Sequence, residues 1–394
     1  MWDFRYSLPG NGLLTIAITN VSRFRTQAGT CLKITIFGLT ISSSWGNGHA
    51  TPYRAVLRAL NRMGHEVVFY ERDVPYYAKH RDLSTADFCE LVLYSKWDET
   101  RSQALNDIRD SDVVIHASFC PDGARIIDET DSHRPLRVFY DLDTPVTLER
   151  LGNGPVEYLR ADQIPGFDLY LSWCGGAILE QLEVDWRARH ALPLYGCVDP
   201  DVHQRVDVPK EYRCLMSYMG THSADRQQKL ERLFLEPARQ HANDIFVLAG
   251  SMYPWEWSWP TNVRRFQHVS PHDHPALYSS SRFTLNITRD AMARGGYCPS
   301  GRLFEASACG TPIVSDWFTG IGDFFVPEQE ILIANDTADV LRALEMSDQE
   351  LVHLATQARE RTLAEHTGER RAQQLIAYLE DAFAKRDKST AEVA

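Results

Sequence analysis

The sequence lacks three features that would mark it as a membrane, zinc-binding or nucleic-acid-binding protein. Its first thirty residues contain no long apolar run preceded by a basic cluster, so we predict neither a signal segment nor a membrane span. Its eight cysteines lack the CxxC spacing of zinc sites, which favours reduced thiols in a cytoplasmic protein. The formal net charge of -12 disfavours a nucleic-acid partner, because clustered lysine and arginine bind phosphate backbones.

From Leu32 onward the chain alternates strand and helix patterns, which predicts parallel sheets covered by helices. Its 394 residues suffice for two domains. Residues 1–31 do not follow the pattern and are expected to be a disordered extension, and the polar tail 386–394 is expected to be flexible. The predicted strands span 32–38, 65–70, 112–118, 136–141, 167–172, 214–220, 245–250, 283–287 and 313–315, with helices at 52–63, 349–366 and 368–385.

The segment from Pro299 to Ser315 is the most informative motif. Its pattern predicts a short helix, Arg302 to Cys309, ended by Gly310 and followed by a buried strand. A helix N-terminus offers free backbone N–H groups to phosphate, and Glu305 on the same helix offers a carboxylate to paired sugar hydroxyls. Together they indicate a nucleotide sugar, although Glu305 on the solvated face of an ordinary helix is the alternative.

This segment resembles the donor-site signature of the GT-B glycosyltransferases. The stretch 283–325, which contains LNITRDAMARGGYCPSGRLFEASACGTPIVSDWFTGIGDFF, is most similar to the CgeB-like branch of that group. In many retaining members two glutamates are separated by seven residues; Glu305 matches the second, but the first falls on Tyr297.

The resemblance implies an α/β fold of two Rossmann-like domains that face each other across a cleft. It assigns residues 32–200 to an N-terminal acceptor domain and residues 201–368 to a nucleotide-sugar domain. A C-terminal helix, residues 369–385, is expected to return to the first domain.

The loop after the first predicted strand is a second candidate for chemistry. Gly46 and Gly48 allow a tight turn and close approach of a ligand, and His49 follows them just before a helix. The loop resembles a glycine-rich element in which a histidine of inverting GT-B enzymes removes the acceptor proton. A neutral imidazole suits that role. A purely structural role for His49 as a turn cap is the alternative.

Asp141 and Asp143 lie just beyond a predicted parallel strand, where open α/β sheets gather ligands. Asp143 is interpreted as a binder of the acceptor hydroxyl, or as the base if His49 is not. Asp141 is a candidate acceptor-loop residue that could equally satisfy backbone groups of the turn. We predict no metal here, since a cation needs more oxygen ligands than this stretch supplies.

In the second domain, the turn after the first predicted strand is a candidate binding site for the donor. Gly220 and Thr221 end a strand, and Arg226 and Lys229 lie three residues apart on the next helix, so both could face the donor diphosphate. Solvated ion pairs on that helix are the alternative. The remaining predicted donor contacts are Val269 and Ser270 for the base, and Arg289, Ser300, Gly301 and Arg302 for the sugar or diphosphate.

These observations predict a glycosyltransferase of hexosyltransferase type that moves a sugar from a nucleotide diphosphate donor to a hydroxyl-bearing small molecule, glycan or glycoconjugate. The predicted enzyme needs no cofactor or metal, and the nucleotide sugar is its substrate. Two alternatives stay open: a nucleotide-sugar 2-epimerase of the same fold, and a catalytically degenerate scaffold protein, which Tyr297 in place of the first glutamate suggests.

Overall fold

The computed structural model describes residues 31–83, 85–130, 135–254 and 256–393. In these ranges two parallel sheets form, each covered by helices, and we call the parts built on them the first and second lobes. Apart from Cys31, the predicted N-terminal extension lies outside the described residues.

The first lobe is built on a seven-stranded sheet. Its strands are β1 (Lys33–Gly38), β2 (Glu66–Arg72), β3 (Glu90–Tyr94), β4 (Val113–Ala117), β5 (Leu136–Asp141), β6 (Leu169–Ser172) and β7 (Ala191–Pro193). They are ordered β3-β2-β1-β4-β5-β6-β7, and neighbouring strands run parallel. Its helices are α1 (Ala50–Arg62), α2 (Pro75–Ala78), α3 (Trp97–Asp110), α4 (Gly123–Thr130), α5 (Thr144–Gly152) and α6 (Ala177–Val184).

The second lobe is built on a six-stranded parallel sheet. Its strands are β8 (Cys214–Met219), β9 (Phe246–Ala249), β10 (Val263–Phe266), β11 (Ser281–Asn286), β12 (Ile313–Ser315) and β13 (Leu332–Ile333), ordered β10-β9-β8-β11-β12-β13. Its helices are α7 (Gln227–Leu230), α8 (Glu236–Gln240), α9 (His274–Ser279), α10 (Asp290–Gly295), α11 (Gly301–Ala308), α12 (Thr337–Leu344) and α13 (Asp348–Glu365). Short helical turns occupy Ala161–Gly166, Ala224–Arg226, Glu231–Leu235, Pro271–Asp273 and Ile321–Asp323.

Each sheet reverses its strand order beside its first strand. In the first lobe β1 lies between β2 and β4, and in the second lobe β8 lies between β9 and β11. Open parallel sheets bind ligands at such reversal points, outside the carboxyl ends of the strands. The segments that follow β1 and β8 are therefore placed where a ligand is expected.

The central strands are buried on both faces, which explains their continuous apolar sequence. Every residue of β4 and of β5 is buried, as parallel strands covered on both sides require. A capping box at Ser347 sets the start of α13: its hydroxyl accepts from the backbone of Glu350, whose carboxylate accepts from the backbone N–H of Ser347.

The last helix, α14 (Gly368–Val393), crosses from the second lobe back to the first. Its buried side chains belong to the core of the first lobe and are Ala372, Leu375, Leu379 and Ala382. The helix begins against α1 at very short range, because a Cβ on Gly368 would lie 2.5 Å from the backbone oxygen of Ala55.

The chain passes between the lobes twice, and the two passages are bonded together. The backbone N–H of Val198, on the connection from β7 to β8, donates to the oxygen of His366 over 3.0 Å. The N–H of Gly368 donates to the oxygen of Val198 over 2.8 Å. We call this pair of segments the crossing.

The predicted class, two Rossmann-like sheets with a returning C-terminal helix, is confirmed. Most predicted strands agree with the observed ones to within one or two residues. Differences lie at the edges: the four edge strands β3, β7, β10 and β13 are not predicted, and α14 continues to Val393, beyond the end expected for it at residue 385. No helix among the described residues is long and apolar enough to cross a membrane.

Candidate functional site

A cavity of about 430 Å³ lies between the lobes, at the carboxyl ends of their strands. Its walls come from the segments after β1, β5, β8, β9 and β11 and from the start of α11. The predicted site residues that line it are Gly46, Gly48, His49, Asp143, Gly220, Thr221, Arg226, Val269, Arg289, Ser300, Gly301, Arg302 and Glu305. Lys229, Ser270 and Asp141, also predicted, do not line it.

Glu305 is buried on α11, with a relative exposure of 7%. The hydroxyl of Tyr278 donates to its Oε2 over 3.3 Å, and Nδ1 of His274 lies 3.5 Å from the same oxygen. Burial alone would raise the pKa of Glu305, but His274, with further contributions from His203 and Arg302, lowers it to about 2. The carboxylate therefore stays ionised at neutral pH and can accept hydrogen bonds from hydroxyls in the cavity.

His203 completes a compact group with His274 and Glu305, whose ligand atoms all lie within 4.8 Å of one another. It is the one group of three histidine, cysteine or acidic residues found among the described residues that could hold a metal ion. His203 is buried, and neither of its ring nitrogens has a hydrogen-bond partner in the described part of the chain. The sequence analysis missed His203, because only tertiary structure brings the connection between the lobes against α11.

Three arginines face the cavity from the second lobe. The buried Nε atoms of Arg226 and Arg289 have no hydrogen-bond partner among the described residues. Arg289 also lies 3.6 Å from Asp225, and Arg226 donates to the backbone oxygen of Thr221. Arg302 is held by Asn286, at the end of β11, through a bond of 2.8 Å. These cations can neutralise an anion of more than one charge.

Lys229 has a different environment from the one predicted. Its ammonium group lies 2.9 Å from Asp316, 3.2 Å from Asp290 and 3.1 Å from the backbone oxygen of Thr288. Burial by itself lowers the pKa of Lys229, but the hydrogen bond to Asp316 outweighs it and raises the pKa. The residue joins the loops after β11 and β12 and does not line the cavity, whereas Arg226 and Arg289 do.

His49 and Asp143 face each other from two loops of the first lobe, with 3.9 Å between Nε2 and Oδ2. The imidazole makes no capping bond to α1; instead the backbone N–H of His49 donates to Asn47 over 3.0 Å. Burial lowers the pKa of His49 to about 4. Burial also raises the pKa of Asp143 to about 6, against the charges of Arg289 and Arg150. At pH 7 the pair is a neutral imidazole beside a carboxylate.

The hydrogen-bond partners of Asp141 agree with the second role considered for it, in which its carboxylate satisfies groups of its own turn. It is fully buried and accepts from the hydroxyl of Tyr170 over 2.7 Å, from Thr147 over 2.9 Å and from the backbone N–H of Asp143 over 3.1 Å. Its carboxylate fixes the turn that carries Asp143 toward the cavity.

The end of the cavity near β9 and β10 is lined by Ala249, Gly250 and Ser251 at and after the end of β9 and by Gln267, His268 and Val269 after β10. Val269 lines it, while the hydroxyl of Ser270 donates to Asp273 over 2.9 Å in the turn before α9. Gly250 allows two loops to touch, since a Cβ there would lie 2.0 Å from the oxygen of Gly220. A flat ligand could insert here between backbone segments.

Tyr297 does not line the cavity. It has a φ of 45° and packs its ring against Gly176 and Gly320, where an added Cβ would lie about 2.5 Å and 2.4 Å from ring atoms. Its backbone oxygen accepts from the N–H of Gly175 in the first lobe over 2.9 Å. The position that matches the first glutamate of the retaining enzymes is thus part of the contact between the lobes.

Comparison with known proteins gives one family and a set of structures. Residues 226–377 match a family model described as "Glycosyl transferase-like". No curated protein sequence matches the chain.

Similar solved structures include an alpha-glucosyltransferase in complex with UDP-glucose and DNA containing an abasic site, at 15% identity and a TM-score of 0.68, covering 89% of this chain and 100% of that one. HepE from Anabaena, in complex with UDP and glucose, is 10% identical with a TM-score of 0.62, and the match covers 89% of this chain and 100% of that one. Sucrose-phosphate synthase from Thermosynechococcus elongatus is 13% identical with a TM-score of 0.58, and the match covers 90% of this chain and 100% of that one. These likenesses show that the chain has the GT-B fold.

Proposed function

We propose that this protein is a glycosyltransferase that moves a sugar from a nucleotide diphosphate sugar to a hydroxyl-bearing acceptor. The observation that carries the proposal is the buried Nε atom of Arg226, which has no hydrogen-bond partner among the described residues, beside Arg289 in a cavity that also contains the ionised Glu305. Buried donors without partners cost free energy, so they favour a ligand that accepts from them. The oxygens of a diphosphate can accept from the arginines, and the hydroxyls of a neighbouring ribose can donate to Glu305.

The donor is proposed to lie along the second lobe. The diphosphate contacts Arg226, Arg289 and Arg302, and it meets the N-terminus of α11 at Ser300 and Gly301, where backbone N–H groups and the helix dipole favour an anion. As the glycosidic bond breaks, negative charge grows on the departing phosphate, and these cations stabilise it. The ribose hydroxyls bind Glu305, and the base lies near Val269.

His49 is proposed to accept the proton of the acceptor hydroxyl. Its low pKa keeps the ring neutral, and the carboxylate of Asp143 stabilises the imidazolium that forms. Both residues belong to the first lobe and line the cavity opposite the arginines. This division supports an acceptor domain facing a donor domain, with boundaries near residues 200 and 368.

The finer assignments are also proposals. We place the chain in the CgeB-like branch, with hexosyl transfer in the cytoplasm. The acceptor is a small molecule, a glycan or a glycoconjugate. One similar structure contains DNA, but the net charge of -12 favours a non-nucleic-acid acceptor here. We propose metal-independent catalysis, because the arginines can supply the countercharge, and we assign Glu305 to ribose instead of to an ion held with His203 and His274.

Calorimetric titration with UDP, GDP and dTDP tests the donor site directly. We expect at least one of these nucleotides to bind and Arg226→Ala to weaken its binding, while Arg232→Ala, an exposed arginine on the same segment, leaves it unchanged. No binding of any nucleotide would contradict the proposal and favour a scaffold role.

A panel of nucleotide sugars, scored by nucleotide release with and without candidate acceptors, then tests transfer. Conversion of the sugar with donor alone would instead indicate a 2-epimerase. The same assay with EDTA should give an unchanged rate, and a loss of rate restored by Zn²⁺ would assign the group around His203 to a metal.

A further inference from the structure

Two cysteine thiols meet across the contact between the lobes. Sγ of Cys174, just after β6 in the first lobe, lies 2.7 Å from Sγ of Cys298, just before α11 in the second. Both side chains are buried, and Cys298 also lines the cavity. The eight cysteines are all free thiols in this structure.

Hydrogen bonds on either side hold this pair in register. The indole N–H of Trp173 donates to the backbone oxygen of Pro299 over 3.0 Å. The N–H of Gly175 donates to the oxygen of Tyr297 over 2.9 Å. Residue 173 therefore lies opposite residue 299, residue 174 opposite residue 298, and residue 175 opposite residue 297, so the two segments run antiparallel. This alignment keeps the two sulfur atoms together, as a disulfide with a bond of about 2.05 Å requires.

We propose that Cys174 and Cys298 form a reversible disulfide that joins the two lobes beside the donor cavity. Disulfides in reducing compartments are usually transient and redox-sensing, and two flanked thiols that share a border with a ligand cavity fit that class. The effect of the bridge on nucleotide exchange rests on the proposed function, whereas its formation does not.

The oxidant is hydrogen peroxide, which is small enough to enter the cavity. Sulfur of Cys298, which borders the cavity, attacks one peroxide oxygen; its thiol becomes a sulfenic acid and one water leaves. Sulfur of Cys174 then attacks the sulfenic sulfur, the S–S bond forms, and the sulfenic oxygen leaves as a second water with the thiol proton of Cys174. The two thiols lose two electrons in total, and the peroxide gains them.

Cys298 reacts first because of its position. Burial raises the pKa of Cys174, which leaves little of the thiolate that reacts with peroxide. Cys174 does not line the cavity, so it reacts as the resolving thiol from behind Cys298.

The bridge fixes the loop that leads into α11 to the first lobe. Ser300 and Gly301, two and three residues beyond Cys298, line the proposed phosphate site. A covalent link here opposes separation of the lobes, and we expect it to slow both entry and release of a nucleotide.

The test treats the full chain with hydrogen peroxide and maps its thiols by mass spectrometry without reduction. We expect one cross-linked pair of peptides containing Cys174 and Cys298, lighter by two hydrogen atoms and separated again by dithiothreitol. A sulfoxide at Met292, whose sulfur lies 3.0 Å from Sγ of Cys298, would instead add one oxygen atom. Oxidation of Met292 alone, or of Cys31 alone, overturns the proposal.

A second measurement follows UDP release by stopped flow in the reduced and oxidised protein. We expect oxidation to slow release by about tenfold, a change of about 1.4 kcal/mol in the barrier. Cys174→Ser, with Cys174→Ala as a second variant, should bind UDP normally. After oxidation it should show neither the cross-linked peptides nor the slower release of UDP. Cys120→Ser, which alters another buried thiol of the first lobe, should keep them.

The two proposals fail in different ways. If the reduced protein binds no nucleotide, the proposed function fails, and the bridge is still decided by the mass map. If the bridge forms and UDP release is unchanged, the restriction of nucleotide exchange is wrong.

Discussion

Glu305 is the residue on which the proposed donor site depends most, because two histidines and Arg302 keep its carboxylate ionised although it is buried. Its Oε2 is occupied by Tyr278 and His274. Its Oε1 faces Gly301, where an added Cβ would lie 3.8 Å away. Oε2 is thus held by the protein, whereas Oε1 has no hydrogen-bond partner within the described part of the chain.

Replacing Glu305 by Gln should weaken UDP binding by about tenfold or more. A charge-assisted hydrogen bond contributes about 1.5 to 3 kcal/mol, and the amide keeps the shape without the charge. Titration calorimetry measures the change, with the exposed Glu211→Gln as the matched control. Unchanged affinity in the Glu305 variant would remove this residue from the ribose site.

The pair of His49 and Asp143 predicts a specific pH dependence. The pKa of Asp143 is raised to about 6 and that of His49 is lowered to about 4, so only Asp143 changes charge between pH 5 and 8. Because the carboxylate stabilises the imidazolium, turnover should fall as the pH drops through about 6. Asp143→Asn should be slower and should lose this dependence in a pH series of initial rates.

His49→Ala tests the base itself. Loss of a general base lowers turnover by about 10² to 10⁴, while UDP affinity should stay close to that of the unaltered protein. Turnover near the original rate would exclude His49 from proton transfer and make Asp143 the base.

The sequence could locate Glu305 and His49 because each lies in a local strand, turn and helix pattern. It could not locate His203, which reaches α11 only through the connection between the lobes. It misplaced Lys229 because the three-residue spacing from Arg226 was interpreted as one face of a regular helix. In the structure Arg226 ends a 3₁₀ turn and Lys229 lies in the α-helical turn that follows, where Asp316 and Asp290 hold its ammonium group.

At the scale of elements, Lys229 joins α7 to the loops after β11 and β12. Lys229→Met would leave the carboxylate of Asp316, 8% exposed, without its cation. Since Lys229 is itself partly exposed, we expect a loss of about 2 kcal/mol in the free energy of unfolding. Denaturant unfolding measures this loss, and Lys229→Met with Asp316→Asn should recover part of it. A Lys229→Met protein with unaltered stability would contradict this structural role.

The strands that the sequence analysis failed to predict are the four edge strands of the two sheets, β3, β7, β10 and β13. Three of them, β7, β10 and β13, are only two to four residues long, and at most one residue of each is buried. By contrast every residue of β4 and β5 is buried, and these central strands are predicted. Composition alone does not decide, because β3 is apolar over four residues although only Tyr94 is buried.

At the scale of the whole molecule, the first lobe depends on the last helix of the chain. Ending the chain after residue 367 removes Leu375 and Leu379 from the core, and each such loss costs about 2 to 5 kcal/mol. Since domains are stable by only about 5 to 15 kcal/mol, we expect this truncated protein not to fold cooperatively. Ending the chain after residue 385 should leave thermal unfolding nearly unchanged, as followed by circular dichroism. Normal unfolding of the shorter chain would mean that α14 adds little to the first lobe.

The crossing restricts how the two lobes can move. Because its two chain segments are hydrogen-bonded to each other at Val198, the two covalent connections between the lobes lie side by side. Paired connections of this kind favour rotation about the crossing over sliding or stretching, and such a rotation has to break the hydrogen bonds of Trp173 and Gly175 to the second lobe. Such a rotation sweeps a longer arc the farther an atom lies from its axis. Lengthening the chain at Val198 would therefore change the timing of opening and closing while leaving each half of the cavity chemically intact, so the rate of the proposed reaction could be tuned at a place where no reaction occurs.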